Sequence, residues 1–311
     1  MKKIMNRWKQ YVIPYSKQHS IPKCVLLIGY LFNYVIYRCS IRDYFTLNFP
    51  YLGRRGKHTF ITAIECSKYY RLNNDKEQIK ILDDKEEMLK FFGPYIGRDW
   101  CGQKYNNTRE EYETFLSKNP KFILKPLNGS GGHGIKLETC DSVPEGVYEY
   151  CKKHNACIEE LIIQHDSLSR LFPYSVNTIR IFTYKSKVVG AVLRVGTGKS
   201  FLDNASSGGL FAPIDLSIGV VIDGAFTFEV TEKVITHPDT RIVFPGFVIP
   251  YWNECKKIVM EAAELVSGIP LVGWDVAVTN AGPVLIEANS EPEIPLLQIP
   301  AKTGIRNIIE L

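Results

Sequence analysis

Three residues near the C-terminus have the types and spacing to hold a metal. Asp275 interrupts the apolar run Val-Gly-Trp-Asp-Val-Ala-Val (272–278), and Glu287 and Asn289 interrupt the next, Pro-Val-Leu-Ile-Glu-Ala-Asn (283–289). Read as strands, these runs form a hairpin turning at Asn280–Ala281, which sets Asp275 opposite residue 286 or 287. Residues two apart on a strand share a face, so Glu287 and Asn289 point the same way. Two carboxylates and an amide oxygen then converge. Carboxylates inside apolar strands repel unless something neutralises them. Mg²⁺ bridging nucleotide phosphates does so through hard oxygen ligands, and an ion pair with a core lysine or arginine is the plainer alternative. The flanking sequence offers no basic neighbour.

Phosphate chemistry is suggested further upstream. Gly129-Ser-Gly-Gly-His-Gly134 spells G-x-G-x-x-G, in itself a weak signal. No Gly-Lys-Ser/Thr closes it, which excludes a Walker A loop. A dinucleotide fingerprint needs a helix to follow, whereas Ile135-Lys-Leu-Glu138 alternates like a strand and Pro126 separates the loop from the strand before it. Strand, glycine loop and strand instead describe a flap whose backbone N–H groups cover phosphates. Gly131, Gly132 and Gly134 would shape that flap, with Lys125 reaching beneath it as a point charge. A plain hairpin with a solvated lysine fits the same residues. Glu159 and Glu160 lie in another apolar strand, Ile158–Ile162, whose edge backbone and carboxylates can pair with adenine and ribose or simply face solvent. Arg180 and Arg194, on successive strands, suit developing charge on a phosphoryl group or a surface salt bridge.

The elements that must position these groups change character along the chain. Residues 1–80 read as mainly helical, broken by Pro14, Pro22, Pro50 and the Gly53–Gly56 turn, with a helix over Thr59–Tyr70. From about residue 81, strands and helices alternate, as in α/β or α+β architectures. Thr108 with Glu111 and Ser142 with Glu145 form capping boxes for helices running to Lys118 and about His154. Strands are expected at 121–125, 157–164, 178–184, 187–195 and 218–222, with a helix over 254–266.

Composition narrows the class. The chain has 311 residues, 45% hydrophobic and 23% charged, which excludes a disordered protein. Its net charge of +5 is unevenly spread. Residues 1–60 hold eleven Lys/Arg against the single acid Asp43, a net +10, leaving −5 for the other 251. A basic head on a mildly acidic body is not the pattern of a nucleic-acid binder. Eight cysteines without a C-x-x-C imply reduced thiols. The most apolar stretch, Cys24–Tyr37, is shorter than the ~20 residues of a membrane span. It reads as a buried helix or as an interfacial helix on an anionic membrane, and either reading is consistent with a cytoplasmic protein.

Taken in order, Ile-Leu-Asp-Asp-Lys (81–85), the 122–135 glycine segment, Ile158–His165, Asn177–Phe182, Leu193–Gly209, Gly273–Val278 and Gly282–Pro292 resemble the ATP-grasp superfamily. The closest look is to its sugar-transfer-associated branch, related to α-L-glutamate ligases. The resemblance covers about residues 81–300. It implies an α+β fold in which two subdomains, about 81–156 and 157–311, clamp ATP with Mg²⁺ (or Mn²⁺), preceded by a mainly helical, basic region 1–80.

On that resemblance Lys125 and Lys85 contact the nucleotide, with Lys90 as the alternative to Lys85. Glu159, Glu160, the backbone at Leu161, and His165 or Asp166 hold adenine and ribose. Asp275, Glu287 and Asn289 hold the metal, and Arg180 and Arg194 steady the transferred phosphoryl group. Asp203, Asn204, Ser207, Gly208 and Gly209 shape the acceptor side. One departure is that the usual Asn-x-x-Pro-Gly ending reads Asn289-Ser-Glu-Pro-Glu293. The activity implied is a carboxylate–amine ligase acting through an acylphosphate, with small-molecule, saccharide-linked substrates from cell-surface polysaccharide synthesis. A kinase acting on an alcohol or sugar and a non-catalytic nucleotide-binding scaffold are the rivals. The +10 head suggests peripheral contact with anionic lipid at the inner membrane face, or with an anionic glycan-assembly partner.

Overall fold

A computed structural model describes residues 7–128, 134–143, 146–198, 208–228 and 233–310. The strands expected from alternation form two antiparallel sheets. The smaller contains β1 (Trp100–Cys101), β2 (Lys121–Pro126), β3 (Lys136–Thr139) and β4 (Ala156–Glu160) in the order β1-β4-β2-β3. The larger contains β5 (Ile179–Tyr184), β6 (Lys187–Val195), β7 (Leu210–Asp215), β8 (Val220–Val221), β9 (Leu271–Thr279) and β10 (Gly282–Asn289) in the order β10-β9-β5-β6-β7-β8. Two α+β layers of this kind, preceded by helices, are the expected fold class.

Each face of the larger sheet is covered because its strands are apolar on both sides. Ile179, Ile181, Leu193, Trp274 and Val276 pack against helix Trp252–Leu265 and against Leu82, Met88, Leu89 and Phe92. Phe182, Tyr184, Val192 and Phe211 pack on the opposite face against Ile61, Cys66 and Tyr70. Helices therefore run well past residue 80. The expected boundary there falls inside helix Lys76–Asp83, whose neighbour Lys85–Phe91 inserts Phe92 edge-on against Trp274 at 5.5 Å. The smaller sheet has its own core of Tyr112, Phe115, Phe122, Leu124 and Ile158. The subdomain boundary expected at 156/157 falls inside β4, which belongs wholly to that sheet.

Local chemistry accounts for most element ends. Thr108 and Glu111 cap helix Arg109–Lys118 reciprocally, as expected, and Ser40–Asp43 and Thr62–Glu65 do the same for two helices of the head. Ser142 does not open a helix. Its hydroxyl accepts from the Thr139 N–H, and the next helix, Val147–His154, begins after Gly146; Glu145 lies outside the described residues. The strand expected over 157–164 stops at Glu160, since the chain there leaves one sheet for the other, where Gln164 bridges Thr279. The strand expected over 218–222 shrinks to Val220–Val221 after the turn at Gly219, while β7, with Pro213 in its interior, lacks the alternation that would have revealed it.

Candidate functional site

The carboxylate hairpin forms with one irregularity that fixes its geometry. A bulge between Leu285 and Glu287 brings Glu287 directly opposite Asp275, and Asn289 opposite Gly273. Strand β5 lies on the other side of β9, with Arg180 paired to Asp275. Arg180 grips that carboxylate in a fork, Nε to Oδ1 at 2.5 Å and Nη2 to Oδ2 at 2.8 Å, and Arg194 on β6 adds Nη1 to Oδ1 at 2.9 Å. All three side chains are buried. Burial alone pushes the Asp275 carboxyl up, but the two guanidinium charges outweigh it and hold the group below the usual range. The arginine expected only as an alternative partner for Asp275 is therefore present, on a neighbouring strand rather than in the flanks.

Glu287 stands differently. It faces the cleft, exposed, and no described side chain donates to it. Lost hydration inside the concave surface raises its carboxyl, and the Asp275 charge beside it raises it further. Asn289 is half-buried, its Nδ2 donating weakly to Gly273 O at 3.4 Å. A Cβ on Gly273 would lie 2.7 Å from Pro292, so glycine is needed where the loop after β10 folds back over β9. These oxygens fit a hard divalent cation. Glu287 offers an open carboxylate, and Asn289 an amide oxygen. Asp275 has used three of its roughly four acceptor sites on arginines, leaving one on Oδ2.

The opposite wall comes from the smaller sheet. A cleft of about 360 Å³ is lined by Lys85, Lys125, Glu159, Glu287, Asn289 and Glu291, with Leu82, Met88, Ile135 and Ile286 as its apolar lining. Lys85 begins a helix and donates from Nζ to Leu127 O at 3.2 Å, so it joins the site, whereas Lys90 lies over the Tyr105 ring outside it. Lys125 Nζ is 2.7 Å from Glu159 Oε1. Gly134 adopts φ +79°, and a Cβ there would meet Pro126 at 2.8 Å, so the flap's return requires glycine. Gly131 and Gly132 lie outside the described residues.

The adenine-side expectations fare less evenly. Glu159 does not offer a free carboxylate to a nucleotide. It is buried and accepts from Lys125 and from Arg98 Nε at 2.7 Å. Burial opposes its ionisation, but the charges of Arg98 and Lys125 prevail and bring its pKa down to about 2. Glu160 points to another cavity, accepting from the Asp99 N–H at 2.9 Å. Leu161 follows the end of β4, half-buried, in the passage between the sheets, and lies outside the cleft lining. His165 caps helix Asp166–Leu171, its Nδ1 accepting from the Ser167 N–H, and Asp166 hydrogen-bonds Asn280 at the far end of the hairpin. Neither lines the cleft, because the β9–β10 hairpin presents its turn to them and its open end to the site. Asp203, Asn204 and Ser207 lie outside the described residues. Gly208 (φ +92°) and Gly209 lead into β7.

Sequence reasoning missed Arg98. Buried in the loop after Ile96, it binds Glu159 and also donates to Leu285 O at 2.7 Å, so one guanidinium joins the two sheets. No local pattern marks it, since both partners are distant in sequence. His237 is fully buried. Its Nδ1 accepts from the Asp239 and Thr240 N–H groups, which leaves the ring proton on Nε2, donated to Gly196 O at 2.9 Å. Asp239 accepts from the Gly198 N–H. The segment thus anchors the chain at Gly196 and Gly198, just after β6 ends. The loop after Asn289 is held by the N-terminal helices: Tyr70 OH donates to Pro292 O, Asn74 Nδ2 to Ser290 O, and Arg42 pairs with Glu293 at 3.1 Å. Glu293, standing where the family ending has glycine, is thereby tied to the head.

Two sheets facing each other across a cleft, with lysines and carboxylates lining it, are the arrangement of the ATP-grasp fold. The sugar-transfer associated ATP-grasp family model matches residues 65–310, and the chain belongs to that family. No curated protein matches the sequence. Among solved structures it is similar to the ATP-grasp ligase PsnB complexed with a phosphomimetic minimal precursor, Mg and ADP (13% identity, TM-score 0.46, 78% of this chain and 63% of that one). It is also similar to D-alanine–D-alanine ligase from Bacillus anthracis complexed with ATP (12% identity, TM-score 0.44, 78% and 74%). A third is the D-cycloserine synthetase DcsG (10% identity, TM-score 0.41, 77% and 76%). The chain spans under two thirds of the length of PsnB.

Proposed function

We propose that this protein is an ATP-dependent ligase that joins an amine to a carboxylate through an acylphosphate, acting on saccharide-linked substrates of cell-surface polysaccharide synthesis. The observation that carries the proposal is the pair of guanidinium groups, Arg180 and Arg194, fixed by Asp275 beside Glu287. They supply positive charge without needing to reorganise when charge develops on a phosphoryl group in transfer. The saccharide element rests on the family alone.

Lys85 and Lys125 line the wall where ATP phosphates would lie and bind them as point charges, Lys125 exchanging part of its contact with Glu159 for phosphate. Mg²⁺, held by Glu287, Asn289 and the remaining acceptor site of Asp275, would neutralise phosphate charge when bound. A carboxylate oxygen of the acceptor takes the γ-phosphoryl group and ADP leaves. The amine then attacks the acyl carbon, the carbon–oxygen bond to phosphate breaks, and the amine proton passes to solvent or phosphate. The flap ending at Gly134 would exclude water from the acylphosphate, which hydrolyses if exposed.

Purified protein with ATP, Mg²⁺ and pools of acids and amines should release ADP and phosphate only when both an acid and an amine are present. A stable phosphoester formed without an amine would instead establish a kinase, and nucleotide binding with no turnover in any pool would establish a scaffold. Replacing Mg²⁺ with Mn²⁺ should retain turnover, since both accept these oxygen ligands.

A further inference from the structure

Helix Lys23–Tyr37 has no charged residue between Lys23 and Arg38, yet most of it faces outward. Only Leu26 and Asn33 are buried, against the head core of Val12, Tyr15, Tyr44 and Phe45. Val25, Ile28, Leu31, Phe32, Val35 and Ile36 are each at least half exposed, Ile28 at 68% and Val35 at 69%. Scattered exposed apolar residues are ordinary, but a continuous apolar ledge along one helix marks an interaction surface. Asn33, the one polar residue in the run apart from tyrosines, faces inward and donates to Gly29 O. The helix thus turns Leu26 and its one amide, Asn33, into the protein and leaves most of its apolar side chains outside.

We propose that this ledge is a docking surface for the anionic face of a lipid bilayer. Charge selects the occupant. Residues 1–60 carry a net +10, and the sole acid, Asp43, is buried in capping contacts to Ser40 and Ala63. Lys23 and Arg38 bracket the apolar stretch, and Lys9, Lys17, Arg54 and Arg55 are exposed elsewhere on the same head; none of these six makes an ion pair among the described residues. Two copies of such a head would repel one another, whereas anionic headgroups attract it and acyl chains accept the ledge. Lysine and arginine at the two ends can keep their charges in the headgroup layer while their stems follow the apolar surface.

Geometry selects the mode. Fifteen helical residues extend about 22 Å, less than the ~30 Å hydrocarbon layer. No single described helix is long and apolar enough to cross a membrane, and the pair Trp8–His19 and Lys23–Tyr37 is bent by 120°. The helix therefore lies along the surface. Docking there goes beyond the ligase reading and does not depend on it.

The test uses the full chain with phosphatidylcholine vesicles, with and without phosphatidylglycerol, at low and physiological salt. Wild type should co-sediment with the anionic vesicles and be released by salt. Ile28→Glu with Val35→Glu should weaken binding by roughly tenfold or more, and Lys23→Glu with Arg38→Glu should weaken it and reduce its salt dependence. Thermal unfolding should be unchanged in both pairs, as all four side chains are exposed. Failure of wild type to bind anionic vesicles at low salt would overturn the proposal. So would binding indifferent to both pairs of changes. A wild-type dimer in light scattering that becomes monomeric on Ile28→Glu with Val35→Glu, without vesicle binding, would assign the ledge to contact between copies instead.

Discussion

Each sheet centres on a buried carboxylate shared by two cations. In the smaller, Glu159 takes Arg98 and Lys125; in the larger, Asp275 takes Arg180 and Arg194. The surroundings make them different devices. Arg98 spends its remaining donors on the Ile96 and Leu285 carbonyls, so the Glu159 cluster is a strut between sheets that frees only Lys125 for a ligand. The Asp275 cluster sits beside the open Glu287, whose carboxyl is raised by lost hydration and by the Asp275 charge, and fixes two arginines on the strands next to it. A buried ion pair is weak evidence of stability in itself; what its remaining bonds reach decides whether it braces the fold or prepares the site.

The contrast can be broken most severely at Glu287. Glu287→Gln should lower Mg²⁺-dependent ATP turnover by about 10³, or about 4 kcal/mol of transition-state stabilisation, with no loss of stability in a urea melt, because it removes a carboxyl whose ionisation is opposed by lost hydration and by the Asp275 charge. Arg98→Met should do the reverse. It should cost about 3 kcal/mol of unfolding free energy by leaving Glu159 underpaired and the Leu285 carbonyl without its donor, read from the urea midpoint. Acid titration separates the clusters further. Glu159 has a folded pKa of about 2, below its unfolded value of about 4.5, so its contribution is complete above about 4.5 and is lost as pH falls toward 2. At about 1.4 kcal/mol per unit this amounts to about 3 kcal/mol, and Glu159→Gln should flatten the acid limb of stability against pH. The smallest effect lies outside both clusters: Thr108→Ala removes one capping box and should cost about 1 kcal/mol with turnover unchanged.

Much of the clamp was legible because it is written in short range. Period-two alternation located β6 and the β9–β10 hairpin within a residue or so, and the turn at Asn280–Ala281 limited Asp275 to one of two partners. The strands on either side of the glycine segment were legible too, and form as β2 and β3. The helical leader was less legible: helices Lys76–Asp83 and Lys85–Phe91 continue into the region expected to begin the alternating fold, since their apolar faces are recruited by the larger sheet. His165 illustrates a limit of motif order, as lying just after the expected adenine strand does not bring a side chain into the cleft when that strand ends at Glu160.

Strand periodicity and hairpin turns act over a few residues, so amino-acid order alone states which groups are present and which share a strand face. It also determined the +10 head and the apolar run within it. Which group partners which is settled by how the strands and helices come together. Arg180 meets Asp275 across 95 residues because β5 lies beside β9, and Arg98 reaches β10 across 187. The same folding turned Asn33 inward and left Ile28 and Val35 outside. Alternation states which side a residue takes; what stands on that side depends on sheet order and packing, which no local pattern contains.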